Sequence, residues 1–102
     1  MTVTPILEDA SLVGADRQAP LSERSLSKLR WRSRRGLLEN DLFIERFFSR
    51  HAASLTVGQA RGMYALMDLS DNDLMDLLLR RTELQTEIST EEVREVLNML
   101  RA

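Results

Sequence analysis

The sequence predicts an all-α protein, a compact five-helix bundle with a disordered N-terminal tail. Three observations predict it: apolar residues recur at helical spacing from Ser25 onward, three N-cap signals divide that region, and no segment alternates as a strand would. The 102 residues are 43% hydrophobic and 29% charged, as in one globular domain. We therefore expect a flexible tail over residues 1–24 and a single domain over residues 25–102.

The predicted tail lacks a sustained apolar period. Residues 1–24 contain both prolines, Pro5 and Pro20, together with Gly14 and scattered polar residues. A segment of this composition buries too little apolar surface to offset the loss of chain entropy on folding. We therefore expect it to be mobile, as chain termini commonly are.

Five helices are predicted in the domain, at about 25–35, 38–52, 57–69, 71–80 and 90–101. In the first, Leu26 and Leu29 share one side, at about 100° per residue. Gly36 marks its end, because glycine lowers helix propensity by about 1 kcal/mol relative to alanine. The second helix carries all three phenylalanines of the chain and should therefore be central to the core.

Cap signals precede the last three helices. Thr56 and Gln59 have capping-box spacing, Ser70 precedes an acidic first turn, and Ser89-Thr90-Glu91-Glu92 repeats the box. The helix after Ser70 is apolar nearly all round, so it is either deeply buried or presents apolar surface to a partner. We expect a monomer, with a weak dimer through this helix as the alternative.

Composition argues against several classes of protein. The chain has no cysteine, which excludes a disulfide framework and a thiolate metal site. It has neither a secretory signal pattern nor an apolar run near the roughly 20 residues that span a bilayer. The net charge of −2 provides no overall attraction to nucleic acid. We therefore expect a cytoplasmic protein that does not insert into membranes.

Candidate catalytic and metal-binding residues do not combine into a site. His51 is the only histidine and has no nucleophile or orienting partner in the sequence, so a structural role is expected. The aspartates of residues 68–76 lack the central glycine and the twelfth-position glutamate of an EF-hand. No phosphate-binding or dinucleotide-binding motif is present. The sequence predicts no enzyme, no metal and no stably bound cofactor.

A basic stretch surrounds Trp31, the only tryptophan. Between residues 28 and 35 there is no acidic residue and there are five cations, Lys28, Arg30, Arg32, Arg34 and Arg35. One interpretation is a solvated helix face with Trp31 packed on arginine stems. The other is a nucleic-acid-binding helix. The charge pattern by itself leaves both open.

The corner that follows this stretch carries the spacing R-G-x-x-E, as Arg35-Gly36-Leu37-Leu38-Glu39. Trp31 lies four residues before Arg35, a second arginine, Arg34, directly precedes it, and Asp41 lies two residues after Glu39. The pattern continues in a pair of aromatic residues and in an acidic segment, Phe47-Phe48 and residues 66–74. With these flanks, residues 26–100 resemble the SdhE-type family of succinate dehydrogenase assembly factors, known as flavinators.

The resemblance implies a small five-helix bacterial chaperone. Such a chaperone binds the flavoprotein subunit of succinate dehydrogenase, or in some bacteria that of fumarate reductase. It promotes covalent attachment of FAD to that subunit without keeping a cofactor of its own. The residues that the resemblance implies in partner binding are Trp31, Arg34, Arg35, Gly36, Glu39 and Asp41.

The sequence departs from the family pattern at three places. Asn40 stands where many members have leucine, Leu77 where many have tryptophan, and Arg80-Arg81 near a position that is often glycine. These changes concern packing more than the signature. Two rival functions remain at this point, a small antitoxin-like protein-interaction module and a basic-helix nucleic-acid binder.

Overall fold

The described residues of the computed structural model are 9–34 and 38–102, without the side chain of Leu38. They form five α-helices, three short 3-10 turns and no strand, which confirms the predicted all-α fold. The helices are α1 (Glu23–Arg32), α2 (Leu38–His51), α3 (Val57–Met67), α4 (Asp71–Leu78) and α5 (Glu91–Arg101). The turns are Ala10–Leu12, Ala52–Ser54 and Thr86–Ile88. None of these helices combines the length and the apolar character needed to cross a bilayer.

Polar caps fix the starts of four helices. The side chains of Ser22, Thr56, Ser70 and Thr90 each accept a hydrogen bond from the backbone N–H three residues on. At Thr56 the predicted capping box is complete, since Gln59 also accepts from the Thr56 N–H. The cap at Ser22 was not predicted, so α1 begins two residues before the expected Ser25. Helix α1 also ends earlier than expected, at Arg32.

Residues 9–22, here called the N-terminal segment, lie against the helices. Leu12 is buried in the core, and the N–H groups of Val57 and Gly58 donate to the carbonyls of Ala19 and Arg17. The segment therefore differs from the mobile tail predicted for residues 1–24. Many of its attachments are hydrogen bonds to backbone carbonyls, which leave no periodic pattern in a sequence. The part of that prediction on residues 1–8 lies outside the described residues.

A buried carboxylate anchors the start of the N-terminal segment to α1. Asp9 accepts hydrogen bonds from the backbone N–H and hydroxyl of Ser11, and the Lys28 ammonium lies 3.9 Å from it. Burial alone would raise the pKa of Asp9. The hydroxyls of Ser11 and Ser25 and the charge of Lys28 outweigh burial, so this pKa lies below its ordinary value. Asp9 therefore stays ionised at neutral pH and stabilises the docked segment.

Helices α3 and α5 pack at close range in the centre of the bundle. Gly58 and Gly62 face α5, and a Cβ atom at Gly62 would lie 2.8 Å from the carbonyl carbon of Glu92 and nearer still to its oxygen. The surrounding core is formed by the fully buried side chains of Phe47, Met63, Leu66, Leu74 and Val96. The predicted central place of α2 is confirmed by Phe47 and Phe48, which are both buried.

The apolar residues of α4 mostly face the core. Leu74, Leu77 and Leu78 are buried, and Leu79, which caps the helix, is 40% exposed. Little of the surplus apolar surface expected for this helix is therefore left. Leu77, where many family members have tryptophan, fills its position in the core. The oligomeric state stays a prediction.

Helix α4 ends in a Schellman motif with an arginine at the position that usually holds glycine. The Arg80 N–H donates to Leu77 O at 3.1 Å, and the Arg81 N–H donates to Asp76 O at 2.8 Å. Arg80 has a φ of 61°, in the left-handed region that disfavours residues with a Cβ. The departure from glycine noted in the sequence therefore stores backbone strain at this residue.

We expect Arg80→Gly to raise the free energy of unfolding by about 1 kcal/mol. Glycine has no Cβ atom and therefore adopts the left-handed conformation of this position without the steric cost that arginine has. The measurement is urea denaturation followed by circular dichroism at 222 nm. Arg81→Gly is the matched control, since it removes the same charge one residue on; it should give no gain. Equal or lower stability of Arg80→Gly would contradict the assignment of strain.

Candidate partner-binding site

A groove of about 850 Å³ lies between α1 and α2. Its α1 wall is formed by Arg30, Trp31 and Arg34, and its α2 wall by Asp41 and Glu45. Its floor is formed by the buried side chains of Ile44 and Phe48, and serines complete the rim. We call this feature the α1–α2 groove. It brings together three of the predicted site residues, Trp31, Arg34 and Asp41.

The groove wall on α1 is exposed because the opposite side of this helix is buried. Leu29 has no exposed surface and packs in the core, and Ser25, one turn earlier, is also buried. Trp31 lies two residues after Leu29, about 200° around the helix, and is 74% exposed. The only tryptophan of the chain therefore contributes a large apolar surface to the rim and not to the core.

Two arginines of the wall stack on aromatic rings. The Arg34 guanidinium carbon lies 5.8 Å from the centre of the Trp31 ring, and that of Arg30 lies 5.4 Å from the centre of the Phe48 ring. Both distances are within the range of cation–π attraction. The predicted packing of Trp31 against an arginine is thus found with Arg34. The rings hold both guanidinium groups beside the groove.

The other described cations of the basic stretch belong to the fold. Lys28 pairs with Asp9, and Arg32 donates to Met67 O and Asp68 Oδ1, both at 3.1 Å. Arg32 thereby caps the carbonyl end of α3 and joins α1 to it. The basic stretch is therefore divided between structural contacts and the groove, and it does not form one continuous cationic face. That division weakens the nucleic-acid interpretation.

The structure describes only part of the R-G-x-x-E signature. Glu39 is exposed in the first turn of α2, but it does not line the groove. It precedes Asp41 by two residues, so the two side chains lie about 200° apart around the helix. The structure therefore places Glu39 on a different side of α2 from Asp41. Glu39 is thus separated from the groove that Asp41 lines together with Trp31 and Arg34. Arg35 and Gly36, and the predicted contact of Arg35 with Glu39, lie outside the described residues.

Asn40 links α2 to the start of α4. Its side chain is fully buried, and its Nδ2 donates to Asp71 O at 3.0 Å. Its Oδ1 has no hydrogen-bond partner among the described residues. The asparagine that departs from leucine in the family pattern therefore holds two helices together. It keeps the first turn of α2, with Glu39 and Asp41, fixed relative to the bundle.

Other candidate residues have structural surroundings. The His51 ring packs against Phe47, with ring centres 5.5 Å apart, which agrees with the predicted structural role. Asp68 accepts from Arg32, and Asp71 and Asp73 lie in the first turn of α4. Within the part of the chain that the structure describes, no three acidic or histidine side chains are placed to hold a metal ion.

Sequence reasoning missed Arg30, Ile44, Glu45 and Phe48 as groove residues. Phe48 was assigned to the core, where it does lie, but its ring also forms part of the groove floor. The available signal was spacing: Asp41 and Glu45, like Ile44 and Phe48, stand four residues apart on α2 and so share one side of it. Which helix packs beside that side cannot be read from spacing.

Comparison with known proteins decides the family. The sequence model described as "Flavinator of succinate dehydrogenase" matches residues 27–102, a range that contains most of α1 and all of α2–α5. The chain belongs to this family. The match confirms the resemblance drawn from the R-G-x-x-E motif and its flanks.

Individual relatives carry related names. The chain is 50% identical over 76 residues to a "FAD assembly factor SdhE" of Ralstonia nicotianae, covering 74% of this chain and 80% of that one. It is 31% identical over 86 residues to the mitochondrial "Succinate dehydrogenase assembly factor 2" of Dictyostelium discoideum, covering 83% and 61%. Another "FAD assembly factor SdhE", from Coxiella burnetii, is 42% identical over 52 residues, covering 51% and 63%. No solved structure matches at the significance of these relatives.

Proposed function

We propose that this chain binds the flavoprotein subunit of succinate dehydrogenase and promotes covalent attachment of FAD to it. The observation that carries the proposal is the match of the flavinator family to residues 27–102. The names of the relatives agree with it, since they describe FAD assembly and succinate dehydrogenase assembly. Bacterial proteins are among these relatives, and we propose the bacterial cytoplasm as the place of action.

The chain acts as a chaperone in this proposal and not as a catalyst. The bond to FAD forms between the flavin and a residue of the flavoprotein, so the chemistry belongs to those two groups. The factor holds the flavoprotein in a conformation that is competent for the reaction. It acts on the FAD of its partner and keeps none itself. A surface that binds one conformation of the partner shifts the partner toward that conformation.

The contact surface in this proposal is the α1–α2 groove together with the corner that joins the two helices. Trp31 and the groove arginines belong to residue types that dominate binding energy at protein interfaces. Glu39 lies beyond the groove, on another side of α2, so the partner would extend around the start of this helix. Arg35 and Gly36 are assigned to the same surface because they stand between Arg34 and Glu39 in the sequence.

We expect Arg35→Ala and Glu39→Ala to lower the rate of covalent flavin attachment about tenfold or more while leaving the helical content unchanged. Loss of one interface anchor of about 2 kcal/mol weakens binding roughly thirtyfold. The measurement is in-gel flavin fluorescence of the denatured flavoprotein subunit, with the factor below saturation. Circular dichroism verifies that each variant is folded.

Arg94→Ala is the matched control for this experiment. Arg94 is an exposed arginine on α5, and its side chain contacts Ser89 of the preceding turn. It lies outside the groove, so flavin attachment should proceed at the wild-type rate. Wild-type rates for both folded Arg35→Ala and folded Glu39→Ala would show that the signature residues do not form the contact.

A further inference from the structure

The arginines of the α1–α2 groove differ from those that hold the fold together. Four arginines that join distant elements have a carboxylate partner at 2.8–3.2 Å, namely Arg17, Arg32, Arg61 and Arg101. Within residues 9–34 and 38–102, no carboxylate lies within 4.0 Å of the Arg30 or Arg34 guanidinium. Their ring contacts fix the direction of each group while its N–H donors remain available to a bound molecule.

The opposite wall of the groove carries negative charge. Asp41 and Glu45 stand one turn apart on α2 and both line the groove. Glu45 is exposed and has no cationic partner in the described part of the chain. The groove is therefore bipolar, with guanidinium groups along α1 and carboxylates along α2. Ile44 and Phe48 form an apolar floor between the two charged walls.

This charge distribution disfavours a nucleotide diphosphate. Arg30 and Arg34 lie at the C-terminal end of α1, where the helix dipole is negative and therefore disfavours a phosphate group. The exposed carboxylate of Glu45 would also repel the phosphates. A polypeptide that carries both signs of charge meets both walls favourably. The volume of about 850 Å³ accommodates several residues of extended chain.

We infer that the α1–α2 groove binds one extended segment of the flavoprotein, with an acidic side chain against Arg30 and Arg34 and a basic side chain against Glu45. An apolar side chain of the same segment lies over Phe48 and beside Trp31. This inference rests on the proposed function and names the chemistry of the partner at that site. It assigns specificity to three residues outside the R-G-x-x-E signature: Arg30, Glu45 and Phe48.

The first test measures binding of the purified flavoprotein subunit to the full chain by isothermal titration calorimetry. The double variant Arg30→Gln/Arg34→Gln should raise Kd about tenfold or more, and Glu45→Gln about threefold or more. The wild-type Kd should rise with salt, and the double variant should lose most of that dependence. Arg94→Gln removes one charge outside the groove and should stay within twofold of wild type.

The second test identifies the bound segment by cross-linking. The chain has no cysteine, so Ser49→Cys on the groove rim provides a single thiol for a benzophenone label. Irradiation with the flavoprotein, followed by mass spectrometry, should give one flavoprotein peptide that contains an acidic and a basic residue within about six positions. A cross-linked peptide that lacks either charge would overturn the inference.

The outcomes separate the inference from the proposed function. If the wild-type chain binds the flavoprotein and the groove variants bind equally well, the inference is wrong and the groove is not part of the contact surface, while the proposed role in flavin attachment stands. If FAD alone binds the wild-type chain and loses affinity in Arg30→Gln/Arg34→Gln, the groove is a nucleotide site and the inference is wrong. If the wild-type chain does not bind the flavoprotein at all, both fail.

Discussion

Gly62→Ala is expected to lower the free energy of unfolding by about 3 kcal/mol, although alanine is the better helix former. The added Cβ atom would lie 2.8 Å from the carbonyl carbon of Glu92, which belongs to the backbone of α5. A backbone atom cannot rotate out of the way as a side-chain end can. Helices α3 and α5 would have to move apart along their whole contact, and the buried side chains between them would lose packing.

Gly58→Ala is the matched control for this substitution. Gly58 lies one turn earlier on α3, and the nearest atoms to its added Cβ would be Glu92 Oε2 at 2.9 Å and Arg17 Cβ and O at 3.1 Å, not the backbone of α5. These contacts are longer than the contact of Gly62 with the α5 backbone, so the difference in urea midpoint reports how closely that backbone approaches Gly62. We expect Gly58→Ala to be clearly the more stable variant. Equal midpoints for the two variants would contradict the close packing of α3 on α5.

Arg61→Ala is expected to lower the free energy of unfolding by about 2–3 kcal/mol and to release the N-terminal segment. The Arg61 Nη1 donates to Leu12 O and Ala15 O, both at 3.0 Å, and its Nε and Nη2 donate to Glu92 Oε2. Removal of the guanidinium takes away the donor of the Ala15 carbonyl and of a half-buried carboxylate, and leaves Leu12 O with the 3.4 Å hydrogen bond from the Ala15 N–H. The helices should remain formed, because the core contacts of α2–α5 do not depend on Arg61.

Hydrogen exchange measures that release directly. The amides of Leu21, Val57 and Gly58 make the hydrogen bonds that join the segment to the start of α3, so they should lose protection in Arg61→Ala. Arg17→Ala is the control, since its ion pair with Glu91 is solvent-exposed and contributes little to stability. Full protection of the three amides in Arg61→Ala would show that the segment is held by other contacts.

The helices of this protein could be predicted because their signals are local. Thr56 and Gln59 specify a capping box within four residues, and the spacing of Phe47 and Phe48 places them toward the core. The docked N-terminal segment could not be predicted in this way. Leu12 is a single apolar residue and forms no periodic pattern. The groups that bind Arg61 are backbone carbonyls, which every residue has, so residue types do not mark them. Their partner lies 46 or more positions away.

The candidate site was predictable as a set of residues but not as a surface. The R-G-x-x-E signature and its flanks indicated the family, which the family match confirms. The same pattern did not show that Asp41 lines the groove with Trp31 and Arg34 while Glu39 does not. Nor did it show that Arg32, in the middle of the basic stretch, is used to cap α3. Those distinctions depend on which neighbouring helix covers each side, and only the packed structure determines it.

The measurement that tests the proposed function most directly is the covalent flavin of the succinate dehydrogenase flavoprotein subunit, incubated with FAD and with or without this chain. The denatured subunit is separated by electrophoresis, and its flavin fluorescence is followed over time. We predict that the wild-type chain raises the initial rate about tenfold or more, in proportion to its concentration below saturation. Equal rates with and without the folded chain would contradict it.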